Sequence, residues 1–74
     1  MITIRVVSKS SGKPVSHTKV HLSFGGDWFG TWLEEYTNSD GDANFSTEPK
    51  TGKVIVSGSE RYSGHLSGRV VVYS

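Results

Sequence analysis

The chain has 74 residues, 34% of them hydrophobic and none of them cysteine. That length holds one domain, residues 1–74, with a thin core, because so short a chain buries only about 60% of its unfolded surface; the missing thiols exclude disulfides and thiolate metal sites. Eight Lys and Arg face seven Asp and Glu, a net charge of +1, and the basic residues are scattered among acids, without the stripe expected of a nucleic-acid binder.

Nine Val, three Ile and six Thr stand against three Leu and one Ala, a vocabulary of strands. Ile2 to Val7 alternates with period two, Ile2, Ile4 and Val6 on one face and Thr3, Arg5 and Val7 on the other. Gly12 and Pro14 mark a turn. Thr18 to Phe24 alternates again, with Val20, Leu22 and Phe24 inward and Lys19, His21 and Ser23 outward. Gly25-Gly26-Asp27-Trp28-Phe29-Gly30 is a glycine-bounded loop carrying two large aromatics.

Thr31 to Asn38 is the next strand, with two competing faces: Trp32, Glu34 and Tyr36, or Thr31, Leu33, Glu35 and Thr37. Asn38-Ser39-Asp40-Gly41-Asp42 is the strongest turn and predicts a tight hairpin. Ala43 to Ser46 returns as a short strand with Phe45 inward, and Glu48 to Gly52 turns again. Lys53 to Ser57 sets Val54 and Val56 opposite Ile55. Ser59 to Gly68 has little apolar content and predicts a loop with a short strand near Tyr62 at most. Gly68 to Tyr73 is the last strand. Apolar residues never keep helical spacing beyond one turn, so the expected fold is all-β: a small antiparallel sandwich of about seven short strands, of Greek-key type.

No apolar run approaches the ~18 residues of a membrane helix, so no membrane contact is expected. Met1 to Ser8 alternates and lacks the pattern of a signal peptide. A complete chain is therefore expected in the cytoplasm, whereas a piece of a larger secreted protein would leave the compartment open.

The order of the signals resembles the transthyretin-like group of β-sandwiches, which includes transthyretin, 5-hydroxyisourate hydrolase and the carboxypeptidase regulatory-like modules. The residues that carry the resemblance are Ile4 to Val7, Ser11-Gly12-Lys13-Pro14-Val15, Val20-His21-Leu22, Thr37-Asn38-Ser39-Asp40-Gly41 followed by Phe45, and Thr51-Gly52-Lys53-Val54. It spans about residues 2 to 57 and implies a transthyretin-like sandwich. The hydrolase branch would require a His where Arg5 stands, an Arg where Asp42 stands, and a C-terminal Tyr-Arg-Gly-Ser where the chain has Val72-Tyr73-Ser74. Related adhesin modules with self-forming Lys–Asn bonds require an Asn on the final strand, and Gly68 to Ser74 has none. The resemblance therefore implies neither the hydrolase activity nor the cross-link.

Histidines offer little chemistry. His17 and His21 lie four apart, which on a strand separates them by roughly 13 Å, too far to share one ion. The segment from Asn38 to Asp42 lacks the acid alternation and distant Glu of a calcium loop, and a turn explains it. Glu34 and Glu35 are adjacent and point to opposite faces of a strand. Gly64-His65-Leu66-Ser67-Gly68 is not a nucleophile elbow. No catalytic set, metal site or cofactor is expected.

The strongest functional signal is aromatic. Phe24, Trp28, Phe29, Trp32 and Tyr36 fall within thirteen positions of a chain with eight aromatics. Exposed Trp and Tyr anchor protein interfaces and stack on sugars; equally, a small sandwich can use such rings to close one end of its core. Both readings stand at this point. The expected function is a non-catalytic module that contacts a protein partner, or itself, through Asp27, Trp28, Phe29, Trp32 and Tyr36. Two alternatives are carbohydrate binding by the same rings and a structural or assembly role through sheet edges.

Overall fold

The computed structural model describes residues 1–24 and 31–74, with Thr31 described by its backbone alone. Seven strands follow in order: β1 Ile2–Val7, β2 Lys19–Phe24, β3 Thr31–Tyr36, β4 Asp42–Phe45, β5 Lys50–Val56, β6 Ser59–Leu66 and β7 Gly68–Tyr73. They form a three-stranded sheet, β4-β1-β7, and a four-stranded sheet, β3-β2-β5-β6. The alternation seen in the sequence becomes the two faces of each sheet. Ile2, Ile4 and Val6 of β1, Val20, Leu22 and Phe24 of β2, and Val54 and Val56 of β5 are buried, and they join Ala43, Phe45, Leu66 and Val72 in one core between the sheets.

The all-β, seven-strand expectation holds, with one amendment to its antiparallel character. β1 and β7 run parallel, Ile2 beside Gly68 and Val7 beside Tyr73. The cause is the path of the chain. β7 follows β6 across the sandwich at Ser67, so no hairpin forces its direction.

The turn expected at residues 48–52 is shorter than that, because Lys50, Thr51 and Gly52 already pair with β6 as the start of β5, and two further segments differ from expectation. The Asp40-Gly41 turn is not a hairpin between paired strands, because β3 belongs to the larger sheet and β4 pairs with β1. It is a corner that carries the chain from one sheet to the other. Asn38 closes it, its Oδ1 accepting from the N–H groups of Asp40 at 2.8 Å and Asp42 at 3.1 Å. Gly41 has φ +80°, and a Cβ there would lie 2.8 Å from Pro14 Cβ and 2.9 Å from the Val6 carbonyl oxygen. The Val6 N–H donates to the Gly41 carbonyl at 2.8 Å, so this corner is fastened to β1.

The second difference is β6, expected as a loop and found as an eight-residue strand. Its composition misleads because it is an edge strand, with only Tyr62, Gly64 and Leu66 less than fully exposed. A two-residue turn, Ser57 (φ 50°) and Gly58 (φ 84°), sets its register against β5. Positive φ at both central positions is the backbone of a type I′ hairpin. The ladder shifts between Val54 and Ile55, leaving Arg61 as the bulged residue.

No helix of the described residues is long and apolar enough to cross a membrane.

Candidate functional site

β2 and β3 pair antiparallel and put their outward residues in register: Lys19 beside Tyr36, His21 beside Glu34, and Ser23 beside Trp32. The competition between the two faces of β3 is thereby resolved. Leu33 is half-buried and packs against the core, while Trp32, Glu34 and Tyr36 point away from it. Trp32 is 60% exposed and Tyr36 59%. Asp27, Trp28 and Phe29, the other expected contact residues, lie outside the described residues. Phe24, from the same aromatic stretch, is core at 5% exposure.

Trp32 has an ordered polar neighbour. His21 meets Trp32 edge to face, with centroids 5.7 Å apart and planes at 83°, the arrangement favoured by the ring quadrupoles. Glu34 reaches two neighbours, Oε1 lying 3.4 Å from Lys19 Nζ and Oε2 2.9 Å from His21 Nε2. The His21 contact is close but misaligned for a hydrogen bond, and among the described residues Nε2 has no other partner. Further across the sheet, Lys53 Nζ lies 3.6 Å from Glu60 Oε1, beside the half-buried Ile55. This outer face therefore presents two flat rings with a carboxylate between them and an ammonium alongside. Alternate residues of a strand rise about 7 Å, so Trp32 and Tyr36 are set roughly 13 Å apart.

Sequence reasoning missed the part played by His21, which it placed simply among exposed strand residues. The signal was available: its outward position on β2 and that of Glu34 on β3 meet once the strands pair antiparallel. His17 does not share that strand. It precedes β2 in a left-handed conformation (φ 55°), and its N–H donates to the Thr37 carbonyl at 2.9 Å. Thr37 is 2% exposed, and its Oγ1 accepts from the Thr18 N–H at 2.9 Å, so this segment locks β2 to the end of β3.

The outer face of the smaller sheet has a different character. Arg5 Nε donates to Asp42 Oδ1 at 3.0 Å and Nη2 to Oδ2 at 3.4 Å, and Arg69 Nη2 approaches Oδ2 at 3.8 Å. Two of the three positions at which the chain departs from the hydrolase pattern, Arg5 and Asp42, are thus partners of one ion pair. The hydrogen bond to Asp42, then the charge of Asp42, raises the pKa of the Arg5 guanidinium above its ordinary value. A raised cation pKa stabilises the fold fully below the unfolded value and fades only as pH climbs through the folded one, in strong alkali. Beside this pair Thr3 Oγ1 donates to Asn44 Oδ1 at 2.8 Å. No group of three His, Asp or Glu side chains among the described residues is arranged to hold a metal ion.

Comparison of the chain with family models, curated proteins and solved structures finds no match.

Proposed function

We propose that the chain is a non-catalytic binding module of the transthyretin-like, carboxypeptidase regulatory-like kind, and that it contacts a protein partner through the outer face of β2 and β3. The observation that carries this reading is the exposure of Trp32 and Tyr36 on one face, at 60% and 59%. A chain with so thin a core gains most by burying its largest side chains, and these two are left to solvent. Interface anchors are drawn from Trp and Tyr because each offers large contact area at little entropic cost. The His21 edge contact and the Glu34 bridge fix that surface before any partner arrives, which lowers the cost of binding. Asp27, Trp28 and Phe29 precede β3 directly in the chain and are counted among the proposed contact residues on the ground of their sequence alone. The family reading draws on the order of turn signals and on where two of them fall. The Ser11 to Pro14 turn joins β1 to β2, and the Asp40-Gly41 turn leads into β4 with its buried Phe45.

The test is the double variant Trp32→Ala with Tyr36→Ala in a pull-down compared with the unaltered domain. The expected result is a folded variant that loses a partner the unaltered domain retains. A variant that unfolds, or one that keeps every partner, defeats the reading.

A second reading, carbohydrate binding, is favoured by the carboxylate of Glu34 standing between the two rings. A sugar stacked on Trp32 would find a hydroxyl acceptor within reach. Tryptophan fluorescence titrated with a panel of soluble polysaccharides decides it: a saturable shift lost in Trp32→Ala supports it, and no shift with any sugar removes it.

A further inference from the structure

Four strands form the edges of the two sheets, and three of them carry features that deter pairing with another chain. β4 has only four residues. β6 is bulged at Arg61 and carries Glu60 beside it. β3 has Glu35 on the face that otherwise points inward, a charge that a pairing strand would have to bury. Short length, a bulge and an inward charge are the usual protections of an exposed edge.

β7 has none of them. It runs six residues, Gly-Arg-Val-Val-Val-Tyr, with β1 on one side and, among the described residues, no strand on the other. Its sole charge is Arg69, and it contains neither proline nor a bulge. Its apolar side chains are incompletely covered: Val71 is 43% exposed, Tyr73 58%, and Val70 only partly buried although it packs against the core.

We propose that a second copy of this chain pairs with β7, antiparallel about a two-fold axis at Val71, so that one sheet continues through both molecules. The strand is self-complementary in that register. On the outer face Val71 meets the partner's Val71, and Arg69 stands opposite the partner's Tyr73, where guanidinium and ring attract. On the inner face Val70 comes beside the partner's Val72, which completes the cover that Val70 lacks. A register that sets Val70 opposite the partner's Val70 places Arg69 against Val71 and loses both cation–ring pairs. The interface is isologous, so each favourable contact occurs twice and assembly closes at the dimer. This surface lies on the smaller sheet and shares no residue with Trp32 and Tyr36 of the larger one.

Sedimentation velocity of the whole chain over a concentration series tests the proposal, with Val71→Lys as the disrupting variant. The unaltered chain is expected to pass from monomer to dimer as concentration rises, with a melting temperature that rises in parallel. Val71→Lys places like charges directly opposite each other and is expected to remain monomeric with an unchanged far-UV spectrum. Val71→Cys guards against misfolding of the lysine variant. The chain has no other thiol, so mild oxidation should give a covalent dimer, whereas Asn44→Cys on β4 should not. A chain that stays monomeric throughout overturns the proposal. So does a dimer that survives Val71→Lys, or a dimer lost instead in Trp32→Ala with Tyr36→Ala, which would assign self-association to the β3 face.

Discussion

Phe24 and Trp32 come from one aromatic stretch, sit on neighbouring strands, and meet opposite fates. Phe24 ends β2 on its inner face at 5% exposure, with Gly52 pressed against its ring and Lys50 Nζ 5.3 Å from its centroid. Trp32, near the start of β3, stands on the outer face at 60% exposure, in T-shaped contact with His21. Composition treats the two rings alike. The pleat separates them, because side chains on a strand alternate and a one-residue difference in position moves a ring from core to solvent. A cluster of aromatics in sequence is therefore not one functional unit. Here it supplies a core anchor on one side of a sheet and solvent-exposed rings on the other.

That contrast can be broken by substitution. The largest effect is expected from Phe24→Ala, at about 3–5 kcal/mol. A domain whose total stability is on the order of 5 kcal/mol would then be largely unfolded at room temperature, which far-UV circular dichroism would show directly. Gly52→Ala should cost about 1–3 kcal/mol by overpacking, since the new Cβ would sit 2.6 Å from Phe24 Cδ1 and 2.7 Å from the Ser23 carbonyl oxygen. Thermal melts of this variant would show whether the ring yields; a melting temperature equal to that of the parent would mean that Phe24 is loosely seated. Gly41→Ala probes the corner between the sheets. It combines a left-handed backbone with a clash against Pro14 and Val6, and about 1–3 kcal/mol of strain is expected, measured by urea denaturation. The smallest effect belongs to Trp32→Ala with Tyr36→Ala, within about 1 kcal/mol for the pair, as for other exposed positions.

The strands with strict alternation were readable in the sequence, and for a clear reason. In β1 and β2 every second residue is apolar and, Val7 aside, every other one is polar, so pattern and burial coincide from Ile2 to Val7 and from Lys19 to Phe24. β6 was unreadable by the same rule, because an edge strand meets the core only through Tyr62, Gly64 and Leu66 and has no need of apolar alternation. Its Ser57-Gly58 turn was the available signal, a two-residue loop between runs of extended residues. The parallel pairing of β1 with β7 is set by the route of the chain across the sandwich, which no local pattern encodes. At the candidate site the aromatic residues of β3 could be named from the sequence, but not the face they occupy. Glu34 on one side and Glu35 on the other gave each face of β3 a polar member, and only pairing with β2 decided between them. His21 acquired its place in the same way, through a cross-strand neighbour thirteen positions later, Glu34.

Trp32 and Tyr36 are proposed to serve contact and not the core. Equilibrium urea unfolding of Trp32→Ala with Tyr36→Ala, followed by far-UV circular dichroism beside the unaltered chain and Phe24→Ala, tests it most directly. The expected result is a cooperative transition for the double variant with nearly the parental slope, and a midpoint close to that of the parent and far above that of Phe24→Ala. A double variant that unfolds as readily as Phe24→Ala would place both rings in the core and contradict it.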